Sequence, residues 1–430
     1  MLDFLRKLIP DRHPIRLFYH KFVAVLAAVV FWFPASKLIV IGVTGTNGKT
    51  TTVNFIARVL ENAGNKVGLA STINFQVGND RWVNASKQST ISPFKLQKLL
   101  RRMVREGCKY AVLEVTSHAV TQSRIIGINF DVAVLTNIME DHIEYHGSFN
   151  AYINAKGGLF EKVSRGLRKP GIPKVTVLNA DDKYYSYFDQ FAADRKITYG
   201  MGDAVVYAAE IKMKPMGSSF VLHIPNHAVE VNLKMPGEFN VYNALATASV
   251  CLTLGVPVEK IKEGLELAGS VSGRFERVLA GQDFEVIVDY AHAPDSMENL
   301  LKMYRGLTSG RLFSVFGATG GGRDKGKRPK MGAVAHEYAD YVIVTNDDPY
   351  VEDELTIIDQ VSEGIPRVEG QNFWKIPDRR EAIKLALSLA KKDDAVVISG
   401  KGCEEIMIVR GKKVPWNDRK VVEDLLGLKK

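Results

Sequence analysis

Lys49 and Thr50 stand in a segment whose residue types suit the binding of a phosphate, "GTNGKT" at 45–50. The glycines allow backbone amides to approach phosphate oxygens, and a helix that begins here would add a favourable dipole. Lys49 can reach terminal phosphates, and the Thr50 hydroxyl can ligate Mg²⁺. Gly42 lies six residues before Gly48, whereas the standard phosphate loop has a spacing of five. The sequence therefore predicts a variant nucleotide-binding loop, with a purely structural turn as the alternative.

Acidic, amide and imidazole side chains follow two apolar runs further along the chain. Glu114 and His118 end the segment "LEVTSH", and Asn137, Asp141 and His142 lie within "TNIMEDHIEYH". Oxygen ligands are the ones that Mg²⁺ prefers. A single such residue after a strand is usually structural, whereas two such strand ends beside a phosphate loop favour a ligand cluster. We therefore predict a magnesium site next to the loop.

The elements that must position these residues follow an alternating α/β pattern. Helical spacing occurs at 49–64, 92–107 and 240–255, and the segment at 204–235 alternates in the manner of antiparallel strands. Apolar, β-branched runs that indicate buried parallel strands lie at 37–43, 110–115, 131–137 and 174–182. The alternation predicts right-handed crossovers and a doubly wound, mostly parallel sheet.

A second α/β series follows the segment "VSGRFERV" at 271–278. Its predicted strands, each ending in a loop with Gly, Asp, Asn or His, lie at 284–291, 311–322, 340–348 and 394–402. Ligands bind outside the carboxyl ends of such strands. We therefore predict an α/β protein with a P-loop central ATPase domain, a C-terminal Rossmann-like domain and a short helical leader, at 38–272, 273–430 and 1–37 respectively.

The composition is that of a globular protein of two or three domains. The 430 residues carry a formal charge of +9, and the basic residues are scattered. The one dense basic loop, "GGGRDKGKRPK", has no interleaved aromatic residues, which argues against a nucleic-acid partner. Cys108, Cys251 and Cys403 form no CxxC pair, so neither a disulfide framework nor a cysteine zinc site is indicated. A reducing cytoplasm fits this pattern.

The leader contains an apolar run at 22–35. Pro34 interrupts the run, which is shorter than the ~20 residues that span a bilayer, and the chain continues directly into a predicted core strand. We therefore expect a buried amphipathic or core helix. A membrane-surface helix is the alternative, because basic residues flank apolar ones. These basic residues are Lys7, Arg12, Arg16 and Lys21.

Ten motifs in order along 38–430 resemble those of the Mur ligase family, the ATP-dependent amino-acid ligases of peptidoglycan precursor synthesis, and most closely those of its tripeptide synthetases. The motifs are "GTNGKTTT", "LEVTSHAVTQSR", "TNIMEDHIEYHGSFNAYINAKGGLF", "LNADD", "MPGEFNVYNALA", "GRFERV", "VDYAHAPDSMENLL", "FGATGGGRDKGKRPKMG", "TNDDP" and "GKGCEE". So many ordered motifs are far more specific than any one of them alone. In the resembling enzymes a UDP-binding domain precedes the phosphate loop, and we expect only the leader in its place.

The resemblance implies that ATP phosphorylates a peptide carboxylate and that the amine of an incoming amino acid attacks the acyl phosphate. It implies two Mg²⁺ sites built from Thr50, Glu114, His142 and Lys156, the lysine carried as an N6-carbamate. It gives catalytic roles to Lys49, His142, Lys156 and Arg274, the arginine reaching the γ-phosphate as the C-terminal domain closes. The residues that it places at ATP are Gly45, Thr46, Asn47, Gly48, Lys49, Thr50, Thr51, Asn240, Asn243, Arg274 and Asp289.

The resemblance also assigns residues to a muramoyl-peptide acceptor and to a free amino acid. Arg323 matches the arginine that grips the carboxylate of the amino acid, a bidentate task suited to a guanidinium group. The residues implied at the acceptor are Ser89, Thr90, Thr116, Gln122, Arg124 and His292. Those implied in the amino-acid pocket are Arg323, Asp347, Asp348, Gly400 and Glu404.

The selectivity segment departs from the family pattern for diaminopimelate, Asp-Asn-Pro-Arg, in which the arginine pairs with the distal carboxylate. This chain has "DDPY" at 347–350, so Tyr350 replaces the arginine and Asp348 adds a carboxylate. A pocket with an extra anion and no arginine should prefer a cationic side chain, which predicts lysine or ornithine as the substrate.

Alternatives remain at this point. A folylpolyglutamate-synthase-like ligase shares the phosphate loop, although the segments "DHIEYHG", "GRFERV" and "RDKGKRP" together argue against it. A Mur-like ligase acting on another peptide is a second alternative, and a non-catalytic ATP-binding subunit is a third. The sequence leaves open the oligomeric state, the presence of UDP on the acceptor, and whether the leader docks at a membrane or on a partner.

Overall fold

The computed structural model describes residues 13–84, 89–141, 143–214, 217–269, 273–322 and 324–427. These residues form two compact units, which divide mainly between Gly269 and Gly273. Each unit is built around its own sheet.

The first unit contains a sheet of eleven strands among the described residues. The strands are β1 (Ile39–Thr44), β2 (Val67–Ala70), β3 (Asn74–Val77), β4 (Asp80–Val83), β5 (Tyr110–Glu114), β6 (Val132–Leu135), β7 (Val175–Asn179), β8 (Arg195–Gly200), β9 (Val206–Lys214), β10 (Gly217–Ile224) and β11 (His227–Leu233). Their spatial order is β11-β10-β9-β8-β7-β6-β1-β5-β2-β3-β4. Along this spatial order, the neighbouring strands from β9 through β8, β7, β6, β1 and β5 to β2 pair in parallel. The pairs β2–β3, β3–β4 and β10–β11 are antiparallel.

Helices cover this sheet. They are α1 (Pro14–Val30), α2 (Lys49–Asn62), α3 (Pro93–Arg105), α4 (Ser117–Thr121), α5 (Ile143–His146), α6 (Phe149–Ser164), α7 (Tyr185–Asp189), α8 (Glu238–Thr253) and α9 (Val258–Leu267), with a 3₁₀ turn at Pro34–Lys37. Helix α2 packs against α8 and α9 on one side and against β2 and β5 on the other. This packing fixes the start of α2, which directly follows the glycine-rich loop.

Strand β1 lies at the centre of the sheet, between β5 and β6. Val40, Ile41 and Val43 are fully buried, as expected of a parallel strand covered on both faces. A Cβ atom at Gly42 would stand 2.8 Å from side-chain atoms of Leu159 and of a neighbouring phenylalanine. Gly42 therefore serves the packing of α6 on the strand and is not part of the loop, which explains the irregular glycine spacing.

The second unit has a six-stranded sheet and a two-stranded ribbon among the described residues. The strands are β12 (Glu276–Arg277), β13 (Glu285–Asp289), β14 (Leu312–Phe316), β15 (Tyr341–Val344), β16 (Phe373–Lys375), β17 (Ala395–Ser399), β18 (Ile406–Val409) and β19 (Lys412–Pro415). The helices are α10 (Pro294–Leu307), α11 (Lys327–Tyr338), α12 (Glu354–Ser362), α13 (Arg379–Leu389) and α14 (Asp418–Leu425). The large sheet has the order β12-β13-β17-β14-β15-β16 and is parallel except for β12.

Arg379, at the start of α13, is fully buried and fixes two loops of the second unit. Its guanidinium donates to both carboxylate oxygens of Asp418, at 2.8 and 2.7 Å. It also donates to the carbonyl of Asn346 at 3.0 Å and to that of Ser399 at 2.9 Å. Charge-assisted bidentate bonds are strong and directional. The loops that follow β15 and β17 are therefore held by one buried cation.

The prediction of an α/β fold with two mostly parallel sheets is confirmed. The four predicted strands of the first series correspond to β1, β5, β6 and β7, and those of the second series to β13, β14, β15 and β17. The antiparallel prediction for 204–235 is confirmed for β10 and β11, whereas β9 runs parallel to β8.

The prediction of a buried leader helix is wrong. Helix α1 buries small side chains, Ala24, Ala27 and Ala28, while its large apolar side chains face outward. Phe18, for example, is 72% exposed. The apolar run was read as core because hydrophobicity alone does not say which face a neighbouring element covers. Within the described ranges, no helix combines the length and the apolar character needed to cross a membrane.

Candidate functional site

The loop between β1 and α2 depends on two glycines. Gly45 has a φ of +147°, and a Cβ atom there would stand 1.8 Å from the Thr136 hydroxyl oxygen. Gly48 has a φ of +80°, and its Cβ atom would stand 2.4 Å from the Asn243 side-chain oxygen. Residues other than glycine rarely adopt these backbone conformations, and neither position has room for a side chain. The two glycines therefore bring the loop backbone close to its neighbours.

The loop is held against the segment that follows β6. The Thr46 amide donates to the Asn137 carbonyl at 2.7 Å, and the Asn47 amide donates to the Asn137 side-chain oxygen at 2.9 Å. The Thr136 hydroxyl donates to the Asn47 carbonyl at 2.6 Å. Asn137, a candidate in the predicted cluster of ligands, thus shapes the loop.

Two lysines point at carbonyl oxygens of this loop. The Lys49 side-chain nitrogen donates to the Thr46 carbonyl at 2.7 Å, and the Lys156 side-chain nitrogen donates to the Gly45 carbonyl at 2.6 Å. Lys156 lies on α6 and is only 2% exposed, with its nitrogen 4.4 Å from the centroid of the Tyr152 ring. Lys156 therefore belongs to the interior of the unit and not to a solvated helix face.

Burial lowers the pKa of Lys156 well below its ordinary value, and the positive charge of Lys49 lowers it further. The negative charges of Asp141 and Glu114 oppose this change in the pKa without reversing it. The neutral amine is thereby favoured. A neutral amine is the nucleophilic form of lysine, and it can react with an electrophile such as carbon dioxide.

Glu114 ends β5 and gathers oxygen and nitrogen donors around a buried carboxylate. It accepts from the Thr50 hydroxyl at 2.9 Å, and from the amide and hydroxyl of Thr72 at 2.8 Å each. A carboxylate beside a hydroxyl at the phosphate loop fits Mg²⁺, which prefers hard oxygen ligands. Thr72 was not predicted, and nothing in its sequence context marks it.

Three of the four predicted metal ligands, Thr50, Glu114 and Lys156, lie among the described residues. Within the described ranges no group of three His, Cys, Asp or Glu residues converges in a way that could hold a metal. The predicted set contains a threonine and a modified lysine, and His142 lies outside the described residues. The rings of His118 and Tyr145 have their centroids 3.9 Å apart and are tilted by 32° to one another.

Asn240 and Asn243, predicted at the nucleotide, are buried on α8. The Asn243 amide donates to the Asn240 side-chain oxygen at 3.2 Å, and the Thr52 hydroxyl donates to Asn243 at 3.1 Å. Asn243 therefore braces the first turn of α2, beside Gly48. Thr51, also predicted at the nucleotide, is buried in the same turn.

The structure brings together four of the residues predicted at the acceptor. The Thr90 hydroxyl donates to the Glu114 carbonyl at 3.0 Å and accepts from the Thr116 amide at 3.4 Å. The Arg124 guanidinium donates to the Thr90 carbonyl and, at 3.0 Å, to the Gln122 side-chain oxygen. These residues form one polar network that reaches the carboxyl end of β5. Ser89 precedes it directly in the chain.

In the second unit, Arg274 and Asp289 lie close together. Asp289 ends β13 and accepts from the amides of Phe275 and Ala291 at 2.9 and 2.6 Å. Burial raises the pKa of Asp289, and the nearby Arg274 cation opposes that rise. Arg274 also lies over the ring of Tyr290, at 4.8 Å from its centroid.

A buried ion cluster connects the residues predicted in the amino-acid pocket. Lys401 is completely buried, and its nitrogen lies 2.8 Å from Asp348, 3.8 Å from Asp347 and also against Glu404. Burial alone would lower the pKa of Lys401, but the three carboxylates outweigh it and raise the pKa. Burial raises the pKa of Asp347, against the influence of Lys401. Lys401 was missed as a site residue, although it lies inside the motif "GKGCEE".

The remaining predicted residues flank this cluster or fall outside the description. Gly400 has a φ of +112°, and a Cβ atom there would stand 2.8 Å from Asp347. His292 contacts the carbonyl of Tyr290 through Nδ1 at 2.8 Å, and its own carbonyl accepts from Lys327 at 3.1 Å. Arg323 lies outside the described residues.

Comparison with known proteins assigns the chain to a family. The Mur ligase middle domain matches residues 43–251, and the "Mur ligase, glutamate ligase domain" matches residues 273–402. The chain is 42% identical over 395 residues to a UDP-N-acetylmuramoyl-L-alanyl-D-glutamate--2,6-diaminopimelate ligase of Caldanaerobacter subterraneus, covering 92% of this chain and 79% of that protein. It is 39% identical over 407 residues to a UDP-N-acetylmuramyl-tripeptide synthetase of Roseiflexus, covering 92% and 80%.

Solved structures agree with this assignment. A UDP-N-acetylmuramoyl-L-alanyl-D-glutamate--2,6-diaminopimelate ligase aligns with a TM-score of 0.63 at 31% identity, over 91% of this chain and 78% of that one. A folylpolyglutamate synthase of Mycobacterium tuberculosis aligns with a TM-score of 0.71 at 18% identity, over 94% and 95%. At that identity the second match shows the shared fold alone.

A phosphate loop opening a buried helix, in a two-unit α/β chain with these relatives, defines an ATP-dependent ligase that forms amide bonds and produces ADP. More particularly, the chain belongs to the Mur ligase family.

Replacing Gly48 by alanine is expected to weaken ATP binding at least about tenfold, because the new methyl group would collide with Asn243 and displace the loop. Gly64→Ala is the matched control, since Gly64 follows the same helix with a φ of +81° and, within the described structure, no atom lies within 4 Å of its added Cβ. Both variants should lose about 1–2 kcal/mol of stability from the left-handed backbone. Calorimetric titration with Mg²⁺ and ATP measures the difference, and equal affinities in the two variants would contradict the assignment.

Proposed function

We propose that this protein adds the third amino acid to a muramoyl-dipeptide precursor in peptidoglycan synthesis. ATP phosphorylates the terminal carboxylate of the acceptor, and the amine of the amino acid then displaces phosphate from the acyl phosphate. The observation that carries the proposal is the buried Lys156 at the Gly45 carbonyl, next to Lys49 and Glu114. The named relatives, which include diaminopimelate ligases and a tripeptide synthetase, support the position of the added residue. We also propose the domain limits predicted from the sequence, 1–37, 38–272 and 273–430.

The phosphate loop holds the nucleotide in this proposal. The loop at 45–48 and the first turn of α2 surround the phosphates, with the Thr46 and Asn47 amides bound to Asn137. Lys49 exchanges its bond to the Thr46 carbonyl for one to a terminal phosphate. Thr50 and Glu114 hold Mg²⁺, which supplies neutralisation of phosphate charge when bound. Two metal sites are proposed, the second using His142 and a modified Lys156. In the second unit, Arg274 binds the γ-phosphate and Asp289 lies on the ribose side.

Lys156 is proposed to act as its N6-carbamate. The neutral amine attacks the carbon of carbon dioxide, a C–N bond forms as one C–O π bond opens, and one proton leaves to solvent, so the side chain changes from a neutral amine to an anion. The low pKa of Lys156 supports this step, because an ammonium group cannot attack. The resulting carboxylate would compensate the positive charge of Lys49 and add an oxygen ligand beside Glu114.

The polar network of Thr90, Thr116, Gln122 and Arg124 is proposed to hold the peptide of the acceptor, together with Ser89 and His292. Its position at the carboxyl end of β5 supports this role, because ligands of open α/β sheets bind there. Arg323 is proposed to grip the carboxylate of the amino acid. Asp347, Asp348, Gly400 and Glu404 are proposed to line the pocket for its side chain.

The amino acid is proposed to be L-lysine or another residue with a cationic side chain. Three buried or half-buried carboxylates, those of Asp347, Asp348 and Glu404, surround the single ammonium group of Lys401. The single positive charge of Lys401 therefore compensates only part of the negative charge of these three carboxylates. Tyr350, at the position of the arginine in the diaminopimelate pattern, has a φ of +57° and lies against Gly321. It offers no cation to a distal carboxylate.

Restoring that cation should change the choice of amino acid. Tyr350→Arg, alone and with Asp348→Asn, is expected to raise the ratio of kcat/KM for meso-diaminopimelate to that for L-lysine at least about tenfold, because a charge-assisted hydrogen bond contributes roughly 1.5 kcal/mol or more. ADP formation with each amino acid and a UDP-muramoyl dipeptide measures the ratio. Tyr350→Gln removes the ring without adding charge and should leave the ratio near that of the wild type. A preference of the wild-type protein for meso-diaminopimelate over L-lysine would contradict the proposed specificity.

Lys156→Ala should lower the rate of amide formation more than about 100-fold, since it removes a buried catalytic side chain. Acetate or formate should restore part of the rate, because a small carboxylate can occupy the space of the lost carbamate. Lys162→Ala, on the same helix, is the matched control and should keep near wild-type activity with no response to these acids. Full activity of Lys156→Ala, or a rate that acids leave unchanged, would remove the carbamate from the mechanism.

A further inference from the structure

We propose that helix α1 (Pro14–Val30) and the neighbouring helix α3 (Pro93–Arg105) form a docking surface for an anionic lipid bilayer, with α1 lying parallel to the membrane plane. This inference does not rest on the proposed function. It rests on the distribution of apolar and charged side chains over two helices that pack against each other.

Helix α1 has two unlike faces. One face packs on the protein through Ala24, Ala27 and Ala28, and the Phe31 ring that follows lies 6.4 Å from the ring of Phe94 on α3. The opposite face is a continuous exposed apolar stripe along the whole helix. Its side chains are Ile15, Phe18, Phe22, Val25, Leu26, Val29 and Val30.

The stripe continues past the end of the helix. Trp32 is 80% exposed, and Phe33 beside it is 47% exposed. Both residues have positive φ values, 58° and 47°, a conformation that large side chains rarely adopt. Exposed aromatic side chains in a tight turn are a costly arrangement in water. They suit the boundary between headgroups and acyl chains, where aromatic residues are enriched.

Charge complements this apolar stripe. From residue 13 to residue 60 the chain has no acidic residue, while Arg16 and Lys21 flank the stripe on α1. Helix α3 contains five basic residues and no acidic one, and all five are exposed or partly exposed. They are Lys95, Lys98, Arg101, Arg102 and Arg105, of which Arg102 forms an ion pair with Asp80. Each basic residue near an anionic leaflet contributes about 1 kcal/mol of attraction.

These features favour a bilayer over a second copy of this chain. A symmetric dimer through α1 would bring the basic residues of α1 and α3 toward their own copies, and like charges repel. An anionic bilayer accepts both the apolar side chains and the positive charges. At 17 residues, α1 is shorter than a helix that spans a bilayer, and its alanine face is packed on the protein. Helix α1 therefore lies in the interface between the lipid headgroups and the acyl chains.

Co-sedimentation of the full chain with vesicles tests the surface. We expect binding to vesicles with 40% phosphatidylglycerol that is at least about tenfold tighter than to pure phosphatidylcholine and that weakens as salt rises. The double variant Phe18→Glu/Phe22→Glu should lose at least about 90% of the bound fraction. Leu167→Glu is the matched control, because Leu167 is 82% exposed in the same unit but lies outside the surface, and it should bind as the wild type does.

A second pair of measurements separates charge from apolar contact. Lys95→Gln/Lys98→Gln/Arg101→Gln should reduce binding to anionic vesicles and flatten its dependence on salt. The fluorescence of the wild type should shift to shorter wavelength with anionic vesicles, and Trp32→Phe should abolish most of that shift. Unchanged melting temperatures identify the variants that fold. Failure to bind anionic vesicles, equal binding to neutral ones, or a stable dimer that the Phe18/Phe22 variant disrupts in their absence would overturn the proposal.

Discussion

The burial of the Lys156 amine beside the Lys49 ammonium group constrains the phosphate loop of the first unit. Lys156 leaves water on folding, its nitrogen meets the Gly45 carbonyl at 2.6 Å, and the cation of Lys49 belongs to the same loop. Desolvation and the like charge of Lys49 both disfavour a second ammonium group there, and they lower the pKa of Lys156. The same contact joins α6 to the phosphate loop. The position of α6 against the loop and the lowered pKa of Lys156 therefore share one contact.

In the second unit, several carboxylates are buried, and two buried cations, Arg379 and Lys401, pair with them. Arg379 pairs with Asp418 and binds the carbonyls before Asp347 and Gly400, while Lys401 lies among three carboxylates. Removing one partner of a buried ion pair costs about 3–5 kcal/mol, so these cations fix the loops that carry the proposed pocket. The pocket keeps more negative than positive groups, which is the physical basis of the proposed preference for a cationic amino acid.

The sequence predicted the features that depend on local pattern. Apolar β-branched runs gave the parallel strands, and the glycine-lysine-threonine segment gave the loop at the start of α2. Contacts across the fold could not be predicted in this way. Thr72 meets Glu114, and Lys401 meets Asp348 across 53 positions of the chain, only because the sheets bring their loops together. The prediction of a buried leader helix was wrong for the same reason. The apolar run does not reveal that its alanines, and not its phenylalanines, face the protein.

Coupling of ATP cleavage to amide formation is tested most directly by phosphate release in the presence and absence of the amino acid. With Mg²⁺, ATP and a UDP-muramoyl dipeptide, addition of L-lysine should start sustained release of one phosphate for each amide formed. Omission of either the dipeptide or the amino acid should reduce release to background. Release that is indifferent to the amino acid, or release with a folate acceptor but not with the dipeptide, would contradict the proposed reaction.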